Sequence, residues 1–501
     1  MIRKYLGLCL IAVAGVFFLA LVTSPYGIAV SPDSVNYLSA AKNFTNGQGL
    51  FTNVIRWNSR DKAIPMIHWP PIFSLAIAAL YHLGVDLILA AKLINVSLLG
   101  LNSFLIGFIL LDISDSKLLS YIGSALSIVF YPLYYSHSHA WSEPLFIFLL
   151  LAALFSLHHH LKNNSLRWLL LAGALAGLSW VTRYAGLMVN LTASIALLIM
   201  GKKTWPKRFW TLLLYGVTSI IPTALWSYRN YKILGSPIDT WKGVNFRLYS
   251  DIIRILRTIS GWAFPYWPTF LAAILLILLL AGVLLPLFFT PPEETSEPKT
   301  SSLTLWGLFV IIYAISLLLL SSFFSNIPIN DRLLTPLFPP LLITLLLAVW
   351  ARKGFWAAKI PRHILLPMLL IFVSPILFKA ASWGRNTFLE GQRGYTAKRW
   401  RESECVKWLN NNPLPGRVLF SRANDALVIL TNYQVRDVLV HREQNQLSFF
   451  CDTLSHFKGL VVYFDDIDRP HHFSEEEMLA TGRFIQIASF ADGRIYELKD
   501  E

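Results

Sequence analysis

The segment WPPIFSLAIAALYHLGVD, residues 69–86, sets the number of times this chain crosses a membrane, because it is apolar but short. Its apolar part, residues 72–83, would form a helix of about 18 Å, whereas the hydrocarbon core of a bilayer is about 30 Å thick. We therefore expect this segment to lie along a membrane surface instead of crossing the bilayer.

The composition is that of a polytopic membrane protein, since 55% of the 501 residues are hydrophobic and only 14% are charged. The formal charge of +14 can indicate a nucleic-acid partner. However, the Lys and Arg residues lie in short loops between apolar segments, which is the pattern that orients membrane proteins. We therefore expect an all-α membrane protein surrounded by lipids, with no nucleic acid as partner.

Apolar segments of spanning length number about eleven. The first has a basic start and no cleavage site close behind it, so we interpret it as a retained span. The segments lie near residues 5–24, 87–111, 117–135, 144–161, 166–182, 184–200, 209–226, 267–289, 303–323, 332–350 and 363–379.

The basic loops give the orientation. If residues 72–83 crossed the bilayer and the N-terminus were inside, three basic loops (158–167, 201–208 and 351–362) would all lie outside. If that segment lies on the surface, all three are cytoplasmic, as the positive-inside rule expects. The sequence thus predicts a plasma (inner) membrane protein with a cytoplasmic N-terminus, and residues from about 380 onward outside the cytoplasm.

The tail predicts a small α/β domain, so we divide the chain into a transmembrane domain, residues 1–379, and an extracytoplasmic domain, residues 380–501. The three cysteines of the chain are too few for a disulfide framework, although Cys405 and Cys451 could pair if this region lies in an oxidising compartment. The predicted elements are helices at 401–411 and 424–432, buried strands at 417–421 and 460–464, and a hairpin at 484–498 that turns at Asp-Gly.

A lone carboxylate, Asp33, lies in SPDSVNYLSAAKNFTNGQG, residues 31–49. Ser31 can cap a helix that has Pro32 in its first turn and ends at Asn46-Gly47. The spacing predicts a short amphipathic helix, with Tyr37, Ala40, Ala41 and Phe44 on one face. Asp33 either complements the helix dipole or takes part in chemistry at the membrane face, and the spacing alone leaves both open.

A second acidic position lies in SHSHAWSEPLF, residues 136–146, where His139 and Glu143 are four residues apart. Glu143 directly precedes Pro144 at the start of the next span, so helix capping and chemistry are both open. Together with His137, these two side chains could bind a divalent metal ion, although their spacing matches no regular ligand pattern.

Arginines stand at three outer helix ends. Arg183 and Tyr184 form the tight corner between two barely spanning segments, and Arg229 and Arg332 lie at later helix ends. A guanidinium near the hydrocarbon is costly unless it meets an anion, so Arg183 is a candidate phosphate clamp, with a snorkelling anchor as the alternative.

Six motifs in order resemble the dolichyl-phosphate-mannose-protein mannosyltransferase-like family of GT-C fold glycosyltransferases. The resemblance covers roughly residues 25–345. The motifs are PDSVNYLSAAKNFTNGQG (32–49), HWPPIFSLAIAALYHLGV (68–85), WSEPLF (141–146), GALAGLSWVTRYAGL (173–187), LWSYRNYKILGSP (225–237) and DRLLTPLFPPLL (331–342).

The resemblance implies a GT-C membrane enzyme that passes a sugar from a polyprenyl-phosphate donor to a lipid, glycan or protein acceptor on the outer side. It implies that Asp33 is the general base or organises the site, and that Glu143 is a second catalytic acidic residue. His68 matches the family's His/Lys-Pro-Pro element with one Trp inserted, and Ser34 stands where family members often have a second acid. We name as candidate substrate-binding residues Tyr37, His68, His139, Arg183, Tyr184, Arg229 and Arg332.

The chemistry of the donor agrees with these residue types. A polyprenyl phosphate leaves as a stable anion, so the enzyme needs cationic groups near the phosphate and a base at the acceptor hydroxyl. We expect direct displacement with inversion of the anomeric centre. A transporter or flippase of lipid-linked sugars would be expected to show internal repeats and broken midplane helices, and a non-catalytic scaffold would lack the outer carboxylates.

Overall fold

The computed structural model describes residues 2–59, 63–201, 204–235, 246–284, 297–324, 328–352, 362–440, 446–467, 469 and 471–499. The basic loops predicted at 201–208 and 351–362 and the outer loops at 227–266 and 325–332 lie partly outside these residues.

Helices dominate the chain as far as residue 390. In chain order they are α1 (Ile2–Val22), α2 (Pro32–Thr45), α3 (Ile72–His82), α4 (Leu87–Ser114), α5 (Lys117–Val129), α6 (Tyr131–His137), α7 (Glu143–Asn163), α8 (Leu166–Trp180), α9 (Leu187–Ile199), α10 (Trp205–Leu234), α11 (Leu248–Ala263), α12 (Thr269–Leu284), α13 (Glu297–Leu319), α14 (Asp331–Leu334), α15 (Phe338–Ala351) and α16 (Arg362–Glu390). A short hairpin, β1 (Phe51–Thr52) with β2 (Ile64–Pro65), interrupts them.

Within the described residues, each of the eleven apolar segments overlaps one or two helices. Within the described residues, six helices are long and apolar enough to cross a membrane, or seven if α5 and α6, which bend by 57°, form one broken span. The predicted spans 166–182, 184–200 and 267–289 correspond to shorter apolar helices, and the segment at 72–83 is the 11-residue helix α3. The protein is therefore a helical membrane protein in which short apolar helices accompany the full-length spans.

The residue contacts divide the chain into two compact units. Unit 1 comprises residues 1–22, 70–73 and 93–386, and unit 2 comprises residues 23–69, 74–92 and 387–501. Unit 2 therefore contains residues 23–69 and 74–92 in addition to the tail, and the domain boundary at residue 379 stays a prediction.

Unit 1 is a helical bundle. Its core buries Phe146, Trp306 and Phe309 completely. Helix α8 packs closely on α10 because Gly173 and Gly177 present no side chain there: a Cβ added at Gly177 would overlap the carbonyl oxygen of Ser219. Such a small-xxx-small spacing lets helix backbones approach in membranes.

Unit 2 contains a five-stranded mixed sheet in the order β4-β3-β5-β7-β6. The first three strands in that order are parallel, the last three are antiparallel, and β6 carries a register shift between Gln486 and Ala488. The elements are α17 (Lys398–Glu402), α18 (Glu404–Asn411), β3 (Val418–Ser421), α19 (Asn424–Leu430), β4 (Gln434–Arg436), α20 (Leu447–His456), β5 (Leu460–Phe464), α21 (Glu475–Ala480), β6 (Phe484–Phe490) and β7 (Gly493–Leu498).

These elements confirm the secondary structure predicted for the tail, including the hairpin that turns at Asp492-Gly493. Cys405 and Cys451 are both buried, and no disulfide joins them to each other.

Helix α2 belongs to unit 2. Its predicted start is confirmed, since Ser31 caps it in a capping box with Ser34 and Pro32 lies in the first turn. On the predicted face, Tyr37, Ala40 and Ala41 are buried and Phe44 is 47% exposed. Residues 34–41 are all buried, so the helix is covered on several sides and not only along one stripe.

Candidate functional site

Glu143 begins α7, directly after the loop that follows α6, and its side chain is fully buried. Pro144 at the first turn fixes the backbone for a helix start, and a carboxylate in the first turn is favoured by the helix dipole. A buried carboxylate is nevertheless costly unless cations and hydrogen-bond donors surround it.

Two arginines surround this carboxylate. Nη1 of Arg183 lies 2.8 Å from Oε1 of Glu143, and Nε of Arg332 donates to the same oxygen. The arginine side chains are 17% and 20% exposed, whereas Glu143 is not exposed at all. Two guanidinium groups and one carboxylate leave an excess of one positive charge, and the partly exposed side of this cluster is cationic.

The residues just before Glu143 hold the same arginines. Nη1 of Arg183 also donates to Oγ of Ser142 at 3.2 Å. Cζ of Arg332 lies 4.3 Å from the centre of the Trp141 ring, within range of a cation–π interaction. Three consecutive residues therefore fix both guanidinium groups.

Two polar atoms of this cluster have no hydrogen-bond partner among the described residues: Oε2 of Glu143 and Nε of Arg183, both buried. Buried polar atoms are normally paired, and an orphaned donor on a guanidinium is suited to an anionic oxygen. The cluster thus has capacity for a ligand that brings an acceptor.

A third arginine is linked through Tyr184. The hydroxyl of Tyr184 accepts from Nε1 of Trp226 at 3.2 Å, and Cζ of Arg229 lies 4.8 Å from the Trp226 ring. Arg229 also donates to the side chain of Asn230 at 3.0 Å. The structure therefore gathers Glu143, Arg183 and Arg332 directly, with Tyr184 and Arg229 in the neighbouring contact chain.

The candidate metal ligands do not form a set. The His139 ring stacks on Trp141 with centroids 3.9 Å apart, and its Nδ1 lies 2.9 Å from the carbonyl oxygen of Tyr135. Burial lowers the pKa of His139 to about 3, so its ring is neutral. His137 pairs with Leu133 and Asn102. Across the described part of the chain, no group of three or more His, Cys, Asp or Glu side chains is placed to hold a metal ion.

The remaining candidates lie in unit 2. Asp33 is half-buried in the first turn of α2, Tyr37 is buried, and the His68 ring contacts that of Trp69 with centroids 4.9 Å apart. Helix α2 packs on α19.

Asp33 has a charged neighbourhood in unit 2. Burial, together with the charges of Asp437 and Asp33, raises the pKa of Asp425 despite the opposing effect of Arg469, whose Nη2 lies 2.8 Å from Asp425.

Sequence reasoning missed Trp141 and Ser142, although their position beside Glu143 was a usable signal. It also missed the pair of Asp425 and Arg469, for which the sequence offers no local signal because the partners are 44 residues apart.

Comparison with family models and with curated proteins gives no match. Solved structures of similar fold include those of ArnT, AglB and AftD. ArnT from Cupriavidus metallidurans bound to undecaprenyl phosphate has a TM-score of 0.60 at 13% identity, over 97% of both chains. AglB, an oligosaccharyltransferase from Archaeoglobus fulgidus in complex with an inhibitory peptide and a dolichol-phosphate, has a TM-score of 0.51 at 12% identity, over 93% of this chain and 70% of that one.

The third structure is the arabinofuranosyltransferase AftD from Mycobacteria, with a TM-score of 0.57 at 15% identity over 99% of this chain and 41% of that one. These similarities define the class: this chain is a membrane protein with the fold of the GT-C glycosyltransferases.

Proposed function

We propose that this chain is an integral-membrane glycosyltransferase, related to the dolichyl-phosphate-mannose-protein mannosyltransferase-like family, that takes its sugar from a polyprenyl-phosphate donor. The acceptor is a lipid, glycan or protein on the extracytoplasmic side. The observation that carries the proposal is the cationic cluster at the start of α7, where Arg183 and Arg332 share the buried Glu143 carboxylate.

The cluster suits the leaving group of this reaction. As the bond between the anomeric carbon and the phosphate oxygen breaks, negative charge grows on the phosphate. Guanidinium groups that are already fixed stabilise that charge without reorganising. Guanidinium groups also bind phosphate through paired hydrogen bonds. The Nε–H group of Arg183 has no acceptor among the described residues and could donate to a phosphate oxygen.

Glu143 acts in this proposal as a positioning residue. Its Oε1 accepts hydrogen bonds from both arginines, so the carboxylate holds the two guanidinium groups in place. We assign the base role to Asp33, as the family resemblance implies.

The proposed step is a single displacement. The acceptor hydroxyl gives its proton to Asp33 while its oxygen bonds to the anomeric carbon. The bond to the phosphate oxygen breaks, and its electron pair leaves with the polyprenyl phosphate. Attack from the face opposite the leaving group inverts the anomeric centre.

The similar structures support the donor class, because ArnT holds undecaprenyl phosphate and AglB holds a dolichol-phosphate. Mass spectrometry of surface glycans and lipids from cells with and without this protein would identify the missing sugar and its linkage. That product then defines the transfer assay in membranes.

The assay compares two variants, each with a matched control. Asp33→Asn should abolish transfer, and Asp452→Asn, an exposed change in α20, should not. Arg183→Ala should raise the donor concentration needed for half-maximal rate, whereas Arg385→Ala, an exposed arginine of α16, should not. Near-normal activity of Asp33→Asn at normal expression would refute the base, and unchanged donor dependence in Arg183→Ala would refute the clamp.

A further inference from the structure

A cavity of about 180 Å³ lies at the other end of α7 from Glu143. Its lining includes His160 and Asn164 at the end of that helix. Helix α7 has 21 residues, which corresponds to about 30 Å and therefore to the hydrocarbon thickness of a bilayer. The cavity and the arginine cluster thus belong to opposite faces of the membrane.

One side of the cavity is polar and electropositive. His160, Asn164 and Thr211 line both the cavity and an adjoining recess, which is also lined by Arg208. Helices α8 and α10 begin here, and no side chain of the described residues caps either N-terminus. Uncapped helix N-termini carry partial positive charge and attract phosphate oxygens.

The other side of the cavity is apolar. Leu169 and Leu214 line it together with Trp210, which is 66% exposed. A site that is cationic on one side and apolar on the other matches a molecule with an anionic head and a hydrocarbon tail.

The sequence at the start of α10 places this end at the level of the lipid headgroups. Residues 205–210 read WPKRFW, and Trp205, Phe209 and Trp210 are all more than half exposed. Aromatic side chains mark the membrane interface, and basic residues beside them attract anionic lipids. Of the acidic residues at this end, Asp112 lies 3.2 Å from Nε2 of His159, and Asp115 follows α4.

We propose that this cavity binds one anionic phospholipid from the leaflet at this end of the bundle. The phosphate lies at the polar side near Arg208, and an acyl chain follows Leu169, Leu214 and Trp210. The site is separate from the arginine cluster and takes no part in sugar transfer.

The test measures lipid binding by the purified full-length protein. Native mass spectrometry would count the lipids retained after titration with phosphatidylglycerol or with phosphatidylcholine. In a separate measurement, thermal unfolding would be followed with and without inorganic phosphate. We expect retention of phosphatidylglycerol only, and no thermal stabilisation by inorganic phosphate. Arg208→Gln should weaken retention about fivefold, the effect of one cation near a charged headgroup.

Two further variants make the result decisive. Trp210→Ala removes an exposed side chain of the lining and should also reduce retention, even if Arg208→Gln misfolds. Lys117→Gln removes an exposed cation that does not line the cavity and should bind as the unaltered chain does. Equal retention of the two lipids, unchanged retention in Trp210→Ala, or stabilisation by inorganic phosphate alone would overturn the proposal.

Discussion

Glu143 draws together two arginines that lie far from it in the sequence. Replacement by glutamine would remove the charge that both guanidinium groups share while keeping the side-chain size. Breaking a buried pair costs about 3 kcal/mol, because the remaining charges stay buried without compensation. We therefore expect Glu143→Gln to lower the unfolding temperature in detergent.

The control for this prediction is Glu390→Gln. Glu390 pairs only loosely with Lys398, at 3.7 Å, and its side chain is 66% exposed. Exposed pairs contribute between 0 and about 1 kcal/mol. Equal unfolding temperatures for the two variants would contradict the inferred importance of the buried cluster.

At the scale of elements, the contact between α8 and α10 depends on Gly177. A Cβ at this position would overlap the carbonyl oxygen of Ser219 and crowd Pro222, so Gly177→Ala must push the helices apart. We expect a loss of about 1–3 kcal/mol, typical of overpacking, measured by thermal unfolding.

Gly216 provides the matched control on α10. No atom of the described residues lies within 4 Å of the place a Cβ would take there. Gly216→Ala should be neutral or stabilising by about 0.5–1 kcal/mol, because alanine favours a helix interior. A destabilisation equal to that of Gly177→Ala would show that the close packing is not the cause.

The sheet of unit 2 should weaken in acid because of Glu475 at the start of α21. Burial works against its charge, but hydrogen bonds from Arg494 and Tyr496 outweigh burial and lower its pKa below 4.5. Nε and Nη2 of Arg494 lie 2.5 and 2.7 Å from the two carboxylate oxygens. This contribution is complete above about pH 4.5 and is lost as the pH falls through the lowered pKa.

We therefore expect Glu475→Gln to lower the unfolding temperature at pH 7 and to have a smaller effect at pH 3. Glu476→Gln, the exposed neighbour in the same helix, should change neither value. A Glu475→Gln effect of the same size at both pH values would refute the titration argument.

At the scale of the whole molecule, the orientation in the membrane stays a prediction from the basic loops. In a chain with Cys9 replaced by serine, Asn412→Cys should react with a membrane-impermeant maleimide added to intact cells. Asn164→Cys should react only after the membrane is permeabilised. Labelling of Asn164→Cys in intact cells would show that the predicted orientation is wrong.

The extent of sequence prediction follows from how local each signal is. Ser31-Pro32 starts a helix and Asp492-Gly493 turns a hairpin through neighbouring residues, and both predictions are confirmed. Which residues of α2 are buried depends on tertiary neighbours that cover residues 34–41 and leave Phe44 exposed. The sharing of Glu143 by two arginines depends on the packing of distant helices, which no spacing along the chain encodes.

The register shift in β6 has a consequence for association between copies of this chain. Strand β6 is an outer strand of the sheet, and Ile485 and Ile487 are partly exposed on it. A regular outer strand with apolar side chains is a template for another strand, and a bulge interrupts that template. The irregularity between Gln486 and Ala488 therefore protects the folded protein against edge-to-edge aggregation at this strand.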